Sequence, residues 1–323
     1  MVKKAFITGI AGQDGSYLSE LLLEKGYQVF GLVYPESSEN DSRDLWRIQH
    51  LLDKIEIFSG SILDGANILK IIHTIKPDEC YHLAAKSFVS YSFDDAFSLT
   101  TTNINGTLNV LSAIKDVTPE CRFYFAGSSE MFGLADSSPQ HEETKFNPRS
   151  LYGISKVSGF YLTKNYRNFY GMFACNGILY NHESPRREEI FVTRKITKAV
   201  AEIKKGIRQE LRLGNLDAMR DWGYAKDYVY AIWLMLQQNK ADDYVVATGQ
   251  LHSVRDFVKI AFDYVGLDWK KYVIIDDKFF RPGEKVELCG NAEKARNVLG
   301  WNPTKTLEEI IKMMVDADLE SYG

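Results

Sequence analysis

The first half of the chain alternates between short apolar runs and stretches in which apolar residues recur at helical spacing. Apolar runs of about four to eight residues, bounded by turn residues, predict buried strands. The stretches between them predict amphipathic helices. Strands that alternate with helices build a parallel sheet covered by helices on both faces. The predicted strands lie at residues 5–8, 28–33, 55–58, 79–83, 123–127 and 172–179.

A glycine-rich loop follows the first predicted strand. Gly9, Gly12 and Gly15 form a G-x-x-G-x-x-G pattern, and Leu18 and Leu22 then recur at helical spacing. Glycines let the backbone approach a pyrophosphate, and the helix N-terminus presents unpaired N–H groups to it. Strand, loop and helix therefore predict a dinucleotide site on an α/β fold, a Rossmann-like doubly wound parallel sheet. An ordinary tight turn between strand and helix is the alternative.

The second half of the chain predicts a smaller α/β substrate domain. Residues 253–256 and 306–309 have the polar pattern of helix starts, the second as a capping box. The chain crosses between the domains more than once. Residues 1–178 plus about 214–249 are predicted to bind the dinucleotide, and about 179–213 plus 250–323 the substrate.

Composition and net charge limit the kinds of partner that the protein is expected to bind. The chain has 323 residues, of which 45% are hydrophobic, which is enough for a sizeable core. A net charge of -4 without a long basic run argues against nucleic acid and anionic membranes. No stretch predicts a signal peptide or a membrane span, so we expect a cytoplasmic protein. The cysteines form no metal or disulfide motif, and we expect no metal and free thiols at Cys80, Cys121, Cys175 and Cys289.

The candidate chemistry lies between Ser128 and Lys156. Ser128 and Glu130 follow a predicted strand, and Tyr152 precedes Lys156 by about one helical turn. A lysine ammonium beside a tyrosine favours the phenolate and lowers its pKa. A phenolate near neutrality accepts protons, so Tyr152 is predicted as a general base. Taken alone, the pair is also consistent with a half-buried ring beside a solvated amine.

The glycine-rich loop, the Ser128 hydroxyl and the Tyr152/Lys156 pair together resemble the extended short-chain dehydrogenase/reductase family. The resemblance implies that Tyr152 is the base, that Lys156 contacts the nicotinamide ribose and that Ser128 binds the sugar oxygen. Glu130 indicates the nucleotide-sugar dehydratases of that family, because the related epimerases lack a carboxylate after this hydroxyl. Residues 181–187, 192–195 and 214–223 resemble the members that act on GDP-mannose.

The resemblance implies a 4,6-dehydration of GDP-mannose with a tightly held nicotinamide cofactor, in a homodimer or homotetramer. The expected catalytic residues are Ser128, Glu130, Tyr152 and Lys156. The expected cofactor contacts are Gly9, Ile10, Gly12, Gln13, Asp14, Gly15, Ser61, Ile62, Leu83, Ala84, Ala85, Ser87, Tyr152, Lys156, His182 and Arg187. The expected contacts of the GDP sugar are Ser87, Ser128, Glu130, Asn181, Val192, Lys195, Arg220, Arg281 and Glu284.

The sequence departs from the family pattern mainly around the expected cofactor. The family usually has an Arg pair, which reads the 2′-phosphate of NADP, where this chain has Tyr34-Pro35. The other departures are Ser61-Ile62 for Asp-Leu, Lys86 for Gln, Ser98 for Tyr and Ser128 for Thr.

These departures leave the choice of cofactor open. Glu36 is suited to accept the 2′-OH of NAD, whereas Arg43 or Arg47 can fold back onto a 2′-phosphate. NADP is expected by resemblance, and NAD is the alternative because of Tyr34-Pro35.

Three alternative functions fit the same features. The first is dehydration of a related GDP sugar such as GDP-manno-heptose. The motifs indicate recognition of the nucleotide more than of the end of the sugar, so they do not distinguish the two substrates. The second is a sugar-nucleotide epimerase or reductase, against which Glu130 argues. The third is a non-catalytic NAD(P)-binding regulator, which has no need of the full catalytic set.

Overall fold

The computed structural model describes residues 2–34, 45–87, 93–279 and 287–322. Within these ranges a seven-stranded sheet has the order β3-β2-β1-β4-β5-β6-β10, and all of its neighbouring strands are parallel. The predicted fold class is confirmed. The strands are β1 (Lys4–Thr8), β2 (Gln28–Val33), β3 (Glu56–Ser59), β4 (Glu79–His82), β5 (Arg122–Ser128), β6 (Ala174–Leu179), β7 (Asn181–Glu183), β8 (Leu211–Leu213), β9 (Met219–Tyr224), β10 (Asp243–Val246), β11 (Leu251–Ser253) and β12 (Val273–Ile275).

Helices cover both faces of this sheet because its strands are apolar on both sides. In β1, Ala5 and Ile7 lie in the core under the first and sixth helices, whereas Phe6 lies in the core under the second, third and fourth. The described helices are α1 (Gln13–Glu24), α2 (Gly65–Ile75), α3 (Phe93–Val117), α4 (Leu151–Tyr170), α5 (Val192–Lys204), α6 (Ala225–Gln237), α7 (Val254–Tyr264) and α8 (Leu307–Glu320).

A second, smaller layer lies beyond the carboxyl edge of the sheet. It contains a three-stranded sheet of order β11-β9-β7, the pair β12-β8, and helices α5, α7 and α8. Its apolar core includes Ile196, Trp222, Phe257 and Ile311, all nearly inaccessible to solvent. The predicted domain boundaries and the predicted oligomers stay predictions.

Two helices of this layer begin with reciprocal hydrogen bonds. Thr306 Oγ1 accepts from the backbone of Glu309, whose carboxylate accepts from the backbone of Thr306, so the predicted capping box is confirmed. Ser253 and Asp256 form a second box, where the sequence predicted only a helix start. Each box satisfies two backbone donors that the helix itself leaves unpaired.

All four cysteines of the chain lie among the described residues. Cys80, Cys121, Cys175 and Cys289 are free thiols, as predicted, and the first three are buried. Among the described residues, no helix is both long and apolar enough to cross a membrane.

Candidate active site

Helix α4 carries the Tyr152/Lys156 pair, and it begins where the sequence predicted. Ser150 caps the helix, since its side chain accepts a hydrogen bond from the backbone N–H of Gly153 at 3.0 Å. Lys156 Nζ donates to the carbonyl oxygen of Ala126 on β5 at 2.8 Å and lies 5.6 Å from the centroid of the Tyr152 ring. The helix start is therefore fastened to the carboxyl end of β5.

Ser128 and Glu130 lie at the same strand end. The Ser128 hydroxyl accepts from the backbone N–H of Glu130 at 3.2 Å and also hydrogen-bonds the Tyr152 phenol. Gly153 permits the close packing, because a Cβ atom there would lie 2.6 Å from the carbonyl oxygen of Glu130. The structure thus brings Ser128, Glu130, Tyr152 and Lys156 together.

The acidity of Tyr152 differs from the expectation. Burial raises the pKa of Tyr152 to about 12; the hydrogen bond from Ser128 and the charge of Arg187 oppose this, and the charge of Glu130 adds to it. Burial also lowers the pKa of Lys156 to about 8, against the attraction of Asp14. The expectation of a Tyr152 pKa lowered toward neutrality is therefore wrong in this structure. The ammonium points at the carbonyl oxygen of Ala126, and desolvation dominates.

The glycine-rich loop has the geometry expected of a pyrophosphate cradle. Gly9 has φ +75°, and a Cβ atom there would lie 2.9 Å from the backbone nitrogen of Ala84. A Cβ atom at Gly15 would collide with the carbonyl oxygen of Gly9. Gly12, at the N-cap of α1, provides no side-chain hydrogen bond to the helix. Gly9, Ile10, Gly12, Gln13, Asp14 and Gly15 accordingly surround an accessible helix N-terminus of the kind that binds anions.

The segment after β4 lies beside this loop, and Asn103 on α3 hydrogen-bonds it. Asn103 Oδ1 accepts from the backbone N–H of Lys86 at 2.8 Å, and Asn103 Nδ2 donates to the Lys86 carbonyl at 3.1 Å and to Ser155 Oγ at 2.9 Å. Asn103 therefore joins the segment that contains Leu83, Ala84, Ala85 and Ser87 to the catalytic helix. Asn103 was not among the predicted site residues, and its polar type on a buried helix face was the available signal.

Two expected cofactor residues belong to the turn after β3. Ser61 Oγ accepts from the backbone N–H of Leu63 at 3.2 Å. The Ile62 side chain is buried, and a Cβ atom on Gly106 of α3 would collide with it. Ile62 can therefore reach a ligand at the sheet edge only through its backbone.

His182 on β7 pairs with the glycine-rich loop. Its Nε2 lies 2.8 Å from Asp14 Oδ2, and its Nδ1 lies 2.7 Å from the carbonyl oxygen of Tyr180. Both oxygens are acceptors, so only the doubly protonated imidazolium donates to both. Burial opposes this charge, but the attraction of Asp14 and the hydrogen bond to it prevail, and the pKa of His182 is raised above 6.5. Burial likewise opposes the Asp14 charge, but His182 prevails and lowers the pKa of Asp14.

Four of the expected contacts of the GDP sugar, namely Asn181, Val192, Lys195 and Arg220, lie in the smaller layer. Asn181 on β7 pairs with β9, which carries Arg220. Val192 and Lys195 lie in the first turns of α5, where Lys195 Nζ lies 3.8 Å from the centroid of the Phe279 ring. Ser87 is exposed on the segment after β4. Arg281 and Glu284 lie outside the described residues.

Arg187 lies in the turn region between β7 and α5. Its Nε atom is 3.3 Å from Glu183 Oε2, and its guanidinium stacks 3.8 Å from the centroid of the Phe191 ring. Glu183 also accepts a hydrogen bond from Thr193 Oγ1. Glu183 is fully buried and was not predicted as a site residue.

Arg47 is not available to fold back onto a 2′-phosphate. Its side chain is only 6% exposed and donates to Glu188 Oε1 at 2.6 Å and to the carbonyl oxygen of Arg186 at 2.7 Å. That alternative is therefore wrong for Arg47. Lys86 and Ser98, two of the departures from the family pattern, hydrogen-bond each other at 2.6 Å. Pro35, Glu36 and Arg43 lie outside the described residues.

Comparison with known proteins decides which group of enzymes this chain resembles. The family described as GDP-mannose 4,6 dehydratase matches residues 6–314. The chain belongs to the GDP-mannose 4,6-dehydratase family. GDP-mannose 4,6 dehydratase 2 of Arabidopsis thaliana, a member of similar sequence, is 50% identical over 98% of this chain and 87% of its own length.

Solved structures agree with the fold of this GDP-mannose 4,6-dehydratase family member. The dTDP-glucose 4,6-dehydratase DesIV of Streptomyces venezuelae, with NAD bound, has a TM-score of 0.84 at 23% identity, covering 99% of this chain and 98% of that one. The RMD protein of Pseudomonas aeruginosa, complexed with NADPH, has a TM-score of 0.82 at 22% identity, covering 99% of each chain. At such low identity the agreement concerns the fold alone.

The charged pair of His182 and Asp14 predicts a pH-dependent stability. The raised pKa of His182 contributes stability that is fully present below pH 6.5 and is lost as the pH rises through that raised value. The lowered pKa of Asp14 contributes stability above pH 3.8 that is lost as the pH falls through the lowered value. We expect the unfolding temperature of wild type to exceed that of His182→Gln most between pH 3.8 and 6.5, and less at higher pH. Thermal unfolding across pH tests this, with exposed His73→Gln as control. A margin that grows with pH above 6.5 contradicts the imidazolium.

Proposed function

We propose that this protein converts GDP-mannose to GDP-4-keto-6-deoxymannose with a bound nicotinamide cofactor. One observation carries the proposal. Glu130 follows Ser128 at the strand end next to the glycine-rich loop, its backbone N–H hydrogen-bonds Ser128, and the charge of its carboxylate acts on the Tyr152 phenol. Oxidation and reduction need only the hydroxyl, the phenol and a cofactor. A carboxylate beside them adds the acid and base that the removal of water requires.

Tyr152 takes the proton of the sugar C4 hydroxyl, and Ser128 donates a hydrogen bond to the carbonyl oxygen that forms there. When bound, an oxidised nicotinamide supplies the acceptor for the C4 hydride, returns it to C6 and adds a positive charge. Such a charge matters because burial leaves the pKa of Tyr152 at about 12. With Arg187 it offsets the desolvation that opposes the phenolate.

Glu130 performs the elimination. The C4 carbonyl acidifies the C5 proton, which Glu130 removes, and Glu130 then gives a proton to the departing C6 hydroxyl, which leaves as water. One carboxylate serves both carbons because they are adjacent. The C5–H and C6–O bonds break and a C5–C6 double bond forms. Hydride addition at C6 and proton addition at C5 then saturate this bond. The proton added at C5 is balanced by the one that Tyr152 took from the C4 hydroxyl. The sugar has lost water without net oxidation.

We propose further that NAD competes with NADP as cofactor. Tyr34, at the end of β2, cannot pair with a 2′-phosphate as an arginine does, and Arg47 is engaged by Glu188. A charged hydrogen bond contributes about 1.5–3 kcal/mol, which corresponds to roughly a 10- to 150-fold preference. Without this interaction the discrimination between the two dinucleotides is small.

Glu130→Gln separates oxidation from elimination. We expect wild type to form a product lighter by one water from GDP-mannose, and Glu130→Gln to do so about 10²- to 10⁴-fold more slowly. Reduced nicotinamide should accumulate in the variant, because C4 is still oxidised. Mass spectrometry and cofactor absorbance measure the two steps, with exposed Glu143→Gln as control. If wild type removes no water from GDP-mannose, the proposed function is wrong. If Glu130→Gln forms the dehydrated product at the wild-type rate, the role proposed for Glu130 is wrong.

Tyr152→Phe should stop the reaction one step earlier. Removal of the phenol eliminates the base for the C4 hydroxyl, so neither reduced nicotinamide nor dehydrated product should form at more than about 1% of the wild-type rate. The same two measurements test it. Accumulation of reduced cofactor at the wild-type rate would exclude Tyr152 as the base.

Tyr34→Arg tests the choice of cofactor. We expect wild type to bind NADP⁺ no more than about tenfold more tightly than NAD⁺, and Tyr34→Arg to raise this ratio by about tenfold or more. Titration with each dinucleotide measures both affinities. A wild-type preference for NADP⁺ of about 100-fold, unchanged in the variant, would contradict the proposal.

A further inference from the structure

Residues 181–188, called the linking segment below, join the glycine-rich loop to the smaller layer. Three of its residues, His182, Ser184 and Arg186, contact the first helix. His182 pairs with Asp14, and Ser184 Oγ donates to Gln13 Oε1 at 2.7 Å. Gln13 Nε2 also donates to the carbonyl oxygen of His182 at 3.1 Å. These contacts hold the segment against the loop that is proposed to bind the cofactor.

Arg186 makes the contacts furthest along α1. Its guanidinium donates to Ser16 Oγ at 3.1 Å, forms an ion pair with Glu20 and stacks 4.1 Å from the centroid of the Tyr17 ring. Its carbonyl oxygen accepts from Arg47. The side chain is 18% exposed, so these contacts are largely shielded from water. None of them involves Ser128, Glu130 or Tyr152, and Arg186 was not among the predicted site residues.

Through Glu183 and Arg187 the linking segment also contacts the start of α5. Glu183 accepts from Thr193 in the first turn of α5 and pairs with Arg187, which stacks on Phe191. The same turns of α5 carry Val192 and Lys195, which are proposed to hold the GDP sugar. The linking segment, a short strand followed by a turn, therefore contacts elements next to each of the two proposed ligand sites.

We propose that the linking segment couples the two sites, so that a bound guanosine diphosphate slows the release of the dinucleotide, and that Arg186 is the positioning residue for this coupling. The inference rests on the proposed function for the identity of the two ligands. A ligand that orders the start of α5 also orders Glu183 and Arg187, and through the shared backbone it orders His182, Ser184 and Arg186 against α1. Coupling between sites is reciprocal and typically amounts to about 5- to 150-fold in affinity.

Positioning by Arg186 also has a chemical consequence. Hydride transfer requires the donor and acceptor carbons to lie about 3–3.5 Å apart. The dinucleotide is held by the sheet and the GDP sugar by the smaller layer, so the distance between them depends on how the layers are fastened together. Arg186 combines a hydrogen bond, an ion pair and a stacking contact across that junction.

The experiment uses the holoenzyme. It measures the rate at which bound dinucleotide exchanges with labelled dinucleotide, with and without saturating GDP, in wild type and in Arg186→Gln. We expect GDP to slow exchange about 5- to 150-fold in wild type and by less than about twofold in Arg186→Gln. The fold should tolerate the change, because Glu20 keeps His50 Nε2 at 2.8 Å and Lys226 Nζ at 3.7 Å. Ser16→Ala, a milder variant, should lose part of the effect, and Arg186→Lys should keep part of it.

Arg167→Gln is the matched control. It breaks a largely buried ion pair with Asp243 that joins the last turn of α4 to β10, away from the linking segment and from α5. We expect it to lower stability and to leave the GDP effect at the wild-type ratio. The proposal is overturned if GDP has no effect on exchange in wild type, if Arg186→Gln keeps the wild-type ratio, or if Arg167→Gln loses it equally. A direct titration with GDP distinguishes the failures. If GDP binds without slowing exchange, the coupling alone is wrong; if GDP does not bind, the proposed substrate class is wrong as well.

Discussion

Backbone approaches backbone so closely at the carboxyl edge of the sheet that three positions exclude a Cβ atom. A side chain at Gly9 would meet the segment after β4, one at Gly15 would meet the glycine-rich loop itself, and one at Gly153 would meet Glu130. Because these residues are glycines, the loop, the β4 segment and the catalytic helix converge on one edge. The hydrogen bonds of Asn103 and the Lys156 contact with β5 then hold this arrangement. Close backbone packing at these glycines brings the parts of the site together, and hydrogen bonds then hold them in place.

Burial at this edge determines the electrostatics. The same desolvation that raises the pKa of Tyr152 lowers that of Lys156. Both shifts oppose the charged forms that base catalysis uses, so the positive charges of Arg187 and of a bound nicotinamide are central to the proposed chemistry. His182 shows the opposite balance, because Asp14 lies within hydrogen-bonding distance and outweighs burial. Proximity of a countercharge, more than residue type, decides which groups are charged.

The smaller layer is stabilised by its own apolar core and joined to the sheet by polar contacts. Ile196, Trp222 and Ile311 pack among themselves in that core. Asp221 on β9 accepts hydrogen bonds from Thr248, which follows the edge strand β10 of the large sheet. Polar junctions have geometric requirements that apolar packing lacks, because a misplaced donor leaves its partner unsatisfied. They suit a junction between the two proposed ligand sites.

The sequence by itself determined the local features. Apolar periodicity predicted six of the seven strands of the large sheet and missed β10. Glycine spacing predicted the loop, and the separation of Tyr152 from Lys156 predicted a shared helix face. Each of these depends on residues only a few positions apart. Contacts between distant parts of the chain were decided by tertiary structure. His182 meets Asp14 across 168 positions, and Arg186 meets Glu20 across 166. Arg47 is engaged by Glu188, and the pKa of Tyr152 rises, for the same reason. Desolvation and ion pairing depend on which residues the folded chain brings together, and the spacing of residues in one sequence does not contain that information.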